Sequence, residues 1–155
     1  MTQTDVSPRV LPRLVAFDLD DTLAPSKSAM PPAMATALRR LLDVVPVCII
    51  SGGQVGQFRD QVLAHLDADA DELSRLHLMP TCGTRYYTYD PSQADRGTDA
   101  WKLVYANDLT PEQIRTGFEI VEAQARRLGL WEERTWGEIL EDRGSQITFS
   151  ALGQE

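Results

Sequence analysis

Residues 13–23 read RLVAFDLDDTL, a run of apolar residues that ends abruptly in carboxylates. Successive side chains of a β-strand alternate between its two faces, so Asp18 and Asp20 can project to the same side at the carboxyl end of a strand. Two carboxylates about 4 Å apart repel by about 4 kcal/mol at a partly buried site, for an effective dielectric near 20. Such a pair persists when a cation bridges it or when one carboxylate keeps its proton. Both arrangements suit chemistry on an anionic substrate.

The composition of the 155-residue chain limits the classes of function that it can have. A hydrophobic content of 43% and a charged content of 25% are typical of a globular protein. The net charge of −8 argues against a nucleic-acid partner, because basic patches bind phosphate backbones. Apolar runs fall short of the roughly 20 residues that a membrane span needs, and the N-terminal residues lack the pattern of a signal peptide. We therefore expect a cytoplasmic protein with no nucleic-acid and no membrane partner.

Apolar segments alternate with helical patterns in the first half of the chain. We predict strands at Leu14–Asp18, Val47–Ile50 and Leu76–Met79. The apolar run of the second strand favours burial on both faces. One helix starts at the Pro31-Pro32 pair and another follows Ser51, an alternation typical of a doubly wound α/β core. The acidic run Asp67–Asp71 lacks the glycine and the glutamate of a calcium loop, and we predict a solvated loop there.

The character of the sequence changes after Gly83. Further strands are predicted at Tyr86–Tyr89 and Lys102–Tyr105, and a later hairpin turns around Arg143-Gly144. Between them, Thr110-Pro111-Glu112-Gln113 has the pattern of a capping box at the start of a helix. That helix is predicted to turn five side chains inward, namely Ile114, Phe118, Val121, Ala125 and Leu128. We therefore divide the chain into a Rossmann-like α/β core over residues 1–83 and an α+β unit over residues 84–155.

The carboxylates after the first strand are suited to phosphoryl transfer. A side chain at the carboxyl end of a strand lies where open α/β sheets bind ligands. Asp18 can attack phosphorus and form an aspartyl phosphate, while Asp20 can protonate the leaving oxygen and later activate water. Mg²⁺ would screen the repulsion between carboxylate and phosphate. The alternative is that both acids cap a helix or decorate a turn, whereas an EF-hand fails because Leu23 and Ala29 replace its glycine and glutamate.

A second short motif, Ser51-Gly52-Gly53, follows the second predicted strand and opens a helix. The Ser51 hydroxyl and the free N–H groups of Gly52 and Gly53 can hold a phosphate at the positive end of that helix. For this motif alone, an ordinary helix N-cap is the alternative interpretation. Its position one strand after the carboxylates favours phosphate binding.

Two segments resemble motifs I and II of the haloacid dehalogenase (HAD) superfamily, namely Asp18-Leu19-Asp20-Asp21-Thr22-Leu23 and Ile50-Ser51-Gly52-Gly53. Residues 136–153 resemble a cap segment of the phosphomannomutases and their bacterial relatives. This resemblance runs from about residue 14 to the end and places the chain in the C2-capped branch. It implies an α/β fold with a Rossmann-like HAD core and an α+β cap of the C2 type.

The resemblance also implies roles for individual residues. Asp18 corresponds to the nucleophile and Mg²⁺ ligand, and Asp20 to the acid/base whose backbone carbonyl binds the metal. Ser51, with Gly52 and Gly53, corresponds to the phosphate-binding motif. Arg143 matches a cap arginine that grips the substrate phosphate, although it can also be an ordinary arginine beside a hairpin turn.

The predicted function is that of a Mg²⁺-dependent phosphohydrolase acting on a small phosphorylated metabolite, a sugar phosphate. A phosphomannomutase-like phosphotransferase is one alternative. Another is a catalytically silent chain that binds metal, phosphate or a partner chain. Relatives with this cap often dimerise through it, so a homodimer is among the oligomeric states left open.

Several positions depart from the family pattern. Gly144-Ser145 replaces the usual Asn-Gly, Trp136 replaces a substrate-binding arginine of the mutases, and Asp21 stands where glycine is commonest. HAD enzymes carry a motif III lysine and motif IV acids after the cap, whereas this sequence stops at Glu155. We therefore expect a truncated chain in which strand 14–18 has an unpaired edge.

Overall fold

The computed structural model describes residues 12–154, and of residues 95–99 and 154 the backbone only. The first eleven residues of the predicted core, and Glu155, lie outside the described residues. A five-stranded sheet forms the centre of the fold, in the order β1 (Val15–Asp18), β2 (Val47–Ile50), β3 (Leu76–Met79), β4 (Arg85–Tyr89) and β5 (Trp101–Ala106). The first three strands are parallel, and β4 and β5 are antiparallel to their neighbours. All five predicted strands are confirmed to within one residue at each end.

Helices cover one face of this sheet. They are α1 (Pro32–Leu42), α2 (Val55–Phe58), a π-helical turn (Arg59–Leu63), α3 (Ala64–Leu66) and α4 (Ala70–Ser74). Phe58, Val62 and Leu66 lie on one side of the helical segment after β2 and are buried with Ile49 and Leu78 of the sheet. Each such side chain contributes about 1.5–3 kcal/mol by leaving water. This core fixes the position of the strand ends.

The prediction of a solvated loop over Asp67–Asp71 is wrong for its second half, where α4 begins. The Asp69 carboxylate accepts hydrogen bonds from the backbone N–H groups of Asp71 and Glu72, both at 2.9 Å. The Glu72 carboxylate in turn accepts from the Asp69 N–H at 2.8 Å. These bonds form a capping box, which satisfies N–H groups that a helix start leaves unpaired.

A hairpin and a long helix make the second layer. The hairpin consists of β6 (Glu138–Asp142) and β7 (Ile147–Gln154), and α5 (Pro111–Arg127) packs on it. The capping box at Thr110 is confirmed, with the Thr110 Oγ1 accepting from the Gln113 N–H at 3.2 Å. Leu128 was predicted to face inward but is 63% exposed, because α5 ends at Arg127 and the chain turns at Gly129.

The opposite face of the sheet is more open than the sequence predicts. Along each strand, the side chains on this face alternate with those buried under the helices. Ile50, at the end of β2, is 37% exposed. Among residues 12–154, β1 pairs on one side only, which confirms the predicted unpaired edge. The sheet also continues through the predicted division at residue 84, since β4 and β5 hydrogen-bond into it. That division stays a prediction.

Within the described part of the chain, no helix has the length and the apolar character needed to cross a membrane.

Candidate active site

A tight turn follows β1 and carries the first predicted site residues. Asp18 is the last residue of β1, and its side chain is exposed rather than partly buried. Leu19 is fully buried and its carbonyl accepts from the N–H groups of Leu23 and Ala24, at 2.9 and 3.1 Å. Asp21 has a positive φ of 57°, a conformation that Asp tolerates and glycine favours, which explains its place at a position where glycine is commonest.

The Asp20 carboxylate is held from two sides. Its Oδ1 accepts a hydrogen bond from the Lys27 backbone N–H at 3.2 Å. Its Oδ2 accepts from the side-chain amide Nε2 of Gln57 at 2.8 Å. Because Lys27 belongs to the loop after β1 and Gln57 to α2, two separate segments orient this side chain.

Ser51, Gly52 and Gly53 form a loop between β2 and α2, which begins only at Val55. This corrects the expectation that they open the helix, since Gln54 is the residue at the cap position. Ser51 is 7% exposed, and its Oγ accepts from the Gly53 N–H at 3.3 Å.

Protein donors satisfy every carbonyl of this loop. The N–H groups of Cys82 and Thr81 donate to the carbonyls of Ser51 and Gly53, both at 2.9 Å. The Gly52 carbonyl accepts from the hairpin residues Arg143 and Gln146, as described next. Each carbonyl oxygen of the loop therefore accepts at least one hydrogen bond from the protein, which fixes the loop backbone.

The hairpin turn places Arg143 against the Ser51–Gly53 loop. Its Nη1 donates to the Gly52 carbonyl at 2.9 Å, beside the Gln146 side chain at 3.1 Å. Its Nε and Nη2 both donate to Oε2 of Glu141, at 2.9 and 2.7 Å. Gln54 donates to the other oxygen of Glu141 at 3.0 Å. The Arg143 guanidinium lowers the pKa of Glu141 below its ordinary value of 4.5.

The departures at the hairpin turn have a structural explanation. Gly144 has a positive φ of 80°, which glycine adopts without strain. Ser145 is buried, and its Oγ lies 2.6 Å from Oγ1 of Thr84, at the end of the segment that precedes β4. The Gly144 carbonyl accepts from the Leu109 N–H at 2.8 Å. These contacts fix the hairpin tip over the carboxyl edge of the sheet.

A cavity of about 590 Å³ lies between the hairpin and α2. Its lining includes the carboxylates of Asp60, Glu138 and Glu141 and the cationic side chains of Lys27 and Arg143. Gly53 and Gln57 also line it. The structure thus gathers Arg143 and Gly53 at the cavity, whereas Asp18, Asp20 and Ser51 are not among its lining residues. Gln57 connects it to Asp20.

The oxygen donors after β1 suit a hard cation such as Mg²⁺, which often binds one or two carboxylates and completes its shell with water and substrate phosphate. Both carboxylate oxygens of Asp20 already accept hydrogen bonds. The backbone carbonyl of Asp20 is a further oxygen that can bind a metal. The β-bridge between Asp20 and Ala24 does not use it, because that bridge is formed by the Leu19 carbonyl and the Asp21 N–H. Over residues 12–154, no cluster of three or more Asp, Glu, His or Cys side chains is placed to hold a metal. The Asp18 carboxylate and the Asp20 backbone carbonyl are the oxygen atoms after β1 that would hold Mg²⁺, and this ligand set stays a prediction.

Solved structures share this fold. The sequence matches no family model, and no curated protein matches it. The N-terminal truncated IMP-nucleotidase of Plasmodium falciparum aligns with a TM-score of 0.59 and 14% identity, over 86% of this chain and 40% of that one. The C-terminal truncated form of that nucleotidase aligns with a TM-score of 0.59 and 13% identity, over 86% and 39%. This chain therefore spans about two fifths of their length.

These similarities show the fold of the chain. It has an α/β fold shared with these nucleotidase structures, which confirms the predicted fold class. Membership of the haloacid dehalogenase superfamily, the C2 type of the cap and the roles of the site residues stay predictions.

Sequence reasoning missed Gln57, Gln54 and Gln146, which make most of the side-chain contacts between these segments. One signal was present for Gln57. It lies in the first turn of a helix that begins beside the carboxyl edge of the sheet, where a polar side chain can reach the strand ends. Gln146 carried no comparable signal, because its partner depends on how the hairpin docks.

Proposed function

We propose that the protein is a Mg²⁺-dependent phosphohydrolase of the HAD type, with a cap of the C2 type. The observation that carries this proposal is the arrangement after β1. There an exposed Asp18 ends the strand, and an Asp20 fixed by two hydrogen bonds follows two residues later. One carboxylate is accessible for attack and the other is oriented for proton transfer.

The reaction would proceed in two displacements. A carboxylate oxygen of Asp18 bonds to phosphorus as the bond to the leaving oxygen breaks, and Asp20 gives that oxygen a proton. Water then attacks the aspartyl phosphate, Asp20 takes its proton, and the Asp18–phosphorus bond breaks to release phosphate. Mg²⁺, when bound, supplies charge that reduces the repulsion between Asp18 and the phosphate.

Phosphate would bind at the Ser51–Gly53 loop. The loop carbonyls accept hydrogen bonds from protein donors, and the Ser51 hydroxyl and the Gly53 N–H, which are bonded to each other at 3.3 Å, would turn to the phosphate. Arg143 lies next to Gly52 and would bind the phosphate by exchanging one of its present hydrogen-bond acceptors for a phosphate oxygen.

A sugar phosphate is the substrate class that the cavity favours. A volume of about 590 Å³ accommodates a small metabolite. Its carboxylates at Asp60, Glu138 and Glu141 can accept hydrogen bonds from the hydroxyl groups of a sugar. The IMP-nucleotidase with a similar fold is itself named for a small phosphorylated substrate.

The experiment is phosphate release from p-nitrophenyl phosphate with and without Mg²⁺, for the wild type and Asp18→Asn. We expect phosphate release to require Mg²⁺. In Asp18→Asn the rate should fall by a factor on the order of 10³ or more, because the nucleophile is lost, while the unfolding temperature stays unchanged. Asp43→Asn, at an exposed residue after α1, is the matched control and should retain activity. Turnover that survives in Asp18→Asn would refute the proposal, and interconversion of sugar 1- and 6-phosphates would identify a mutase instead.

A further inference from the structure

We propose that Gln57 is a positioning residue for Asp20, and that a side chain at position 53 would push the Gln57 amide away from Asp20. The catalytic part of this inference rests on the proposed function. Its structural part, the hold of Gln57 on Asp20, does not.

The orientation of the Gln57 amide follows from its contact with Asp20. Its Nε2 donates to Oδ2 of Asp20 at 2.8 Å. The reversed amide would set its carbonyl oxygen against the Asp20 carboxylate, which repels it. Gln57 therefore presents its nitrogen to Asp20 and its oxygen towards Gly53.

Gly53 provides the space that this arrangement needs. A Cβ placed on Gly53 would overlap Oε1 of Gln57 and lie 2.6 Å from its Cδ. Heavy atoms that are not bonded do not approach so closely, so any larger residue at position 53 would displace the amide from Asp20. Gly53, the last residue of the Ser51–Gly53 loop, thus affects the position of Asp20 through Gln57.

This hold has a specific catalytic consequence. A general acid must present one oxygen to the leaving group, and a carboxylate that rotates freely does so only part of the time. An alkoxide leaving group requires the proton, whereas p-nitrophenolate leaves readily without it. Loss of the Gln57 hydrogen bond should therefore slow the hydrolysis of a sugar phosphate much more than that of p-nitrophenyl phosphate.

The kinetic test compares Gln57→Met, which keeps the length of the side chain but removes the donor, with Gln124→Met. Gln124 is an exposed glutamine of α5 that does not line the cavity. For Gln57→Met we expect kcat for glucose 6-phosphate to fall about tenfold, with KM and the p-nitrophenyl phosphate rate within about twofold. In Gln124→Met the ratio of the two kcat values should stay at the wild-type level. An equal loss on both substrates in Gln57→Met would overturn the inference.

A second readout needs no turnover. The side-chain amide of Gln57 gives a ¹⁵N–¹H NMR signal, which Gln57→Met identifies by its disappearance. We expect Asp20→Ala and Gly53→Ala each to shift this signal, while the signal of Gln113 in the α5 capping box stays in place. If the wild type hydrolyses no phosphate ester, the proposed function fails, yet these spectra still decide whether Gln57 holds Asp20. A Gln57 side-chain signal with the same chemical shift in Asp20→Ala as in the wild type would overturn the inference.

Discussion

Glu141 joins the hairpin to the loop after β2 through two different partners, Arg143 and Gln54. Its pKa lies below the ordinary value of 4.5, mainly because of the Arg143 guanidinium. A carboxylate with a lowered folded-state pKa stabilises the fold above its unfolded pKa, and this stabilisation is lost as the pH falls through the folded pKa. In Glu141→Gln that pH-dependent part should be absent.

Urea unfolding between about pH 7 and pH 3 measures this effect. We expect the stability difference between wild type and Glu141→Gln to be largest near neutral pH and to shrink below about pH 4.5. Glu133→Gln, at an exposed glutamate, is the control and should show a smaller and flatter difference. A difference for Glu141→Gln that does not vary with pH would contradict the assigned ion pair.

At the residue scale the sequence predicts positions better than contacts. It places Asp18 at the end of β1 and Asp20 in the turn that follows, as the structure has them, while their catalytic roles stay predictions. Gln57 could not be assigned to Asp20, since that contact depends on the turn that brings Asp20 beside α2. The pairing of Arg143 with Gly52 likewise follows from hairpin docking, which no local pattern encodes.

Among the elements, α4 depends on its cap. It is only five residues long, and isolated helices of that length are not stable in water. Asp69→Ala removes the acceptor for two backbone N–H groups, so we expect a loss of about 1 kcal/mol in unfolding free energy, measured in urea. Asp71→Ala removes a carboxylate of the same turn but no cap and should cost about 0.3 kcal/mol. Equal losses in the two variants would show that the cap contributes nothing specific.

The same element shows why some of the fold could not be predicted. The capping box at Thr110 could be recognised because Pro111 follows it. The capping box at Asp69 could not, because Asp69 lies in a run of acidic residues. Strands were predicted well, because apolar runs bounded by turn residues define them locally. The exposure of Ile50 could not be predicted, because burial of the outer face depends on which elements cover the sheet.

At the scale of the whole molecule, the hairpin tip links the two layers. Arg143 and Gln146 bind Gly52, and Ser145 contacts Thr84. These bonds close one side of the cavity and fix the distance between the hairpin and the Ser51–Gly53 loop. The hairpin thus covers the carboxyl edge of the sheet, while among residues 12–154 no element covers the outer face or the β1 edge.

That open side has a consequence for association. Leu14, just before β1, is 48% exposed and lines a shallow cavity that extends across the sheet face to Tyr105, which is 37% exposed. An unpaired apolar strand edge favours pairing with another chain, and a lysine there opposes it. We expect wild-type sedimentation coefficients to rise with concentration and Leu14→Lys to weaken association at least about tenfold. Leu128→Lys, at a leucine exposed to 63% after α5, is the matched control for the added charge and should associate like wild type. A wild-type chain that stays monomeric at every concentration, or two lysine variants that behave alike, would show that the β1 edge does not drive association.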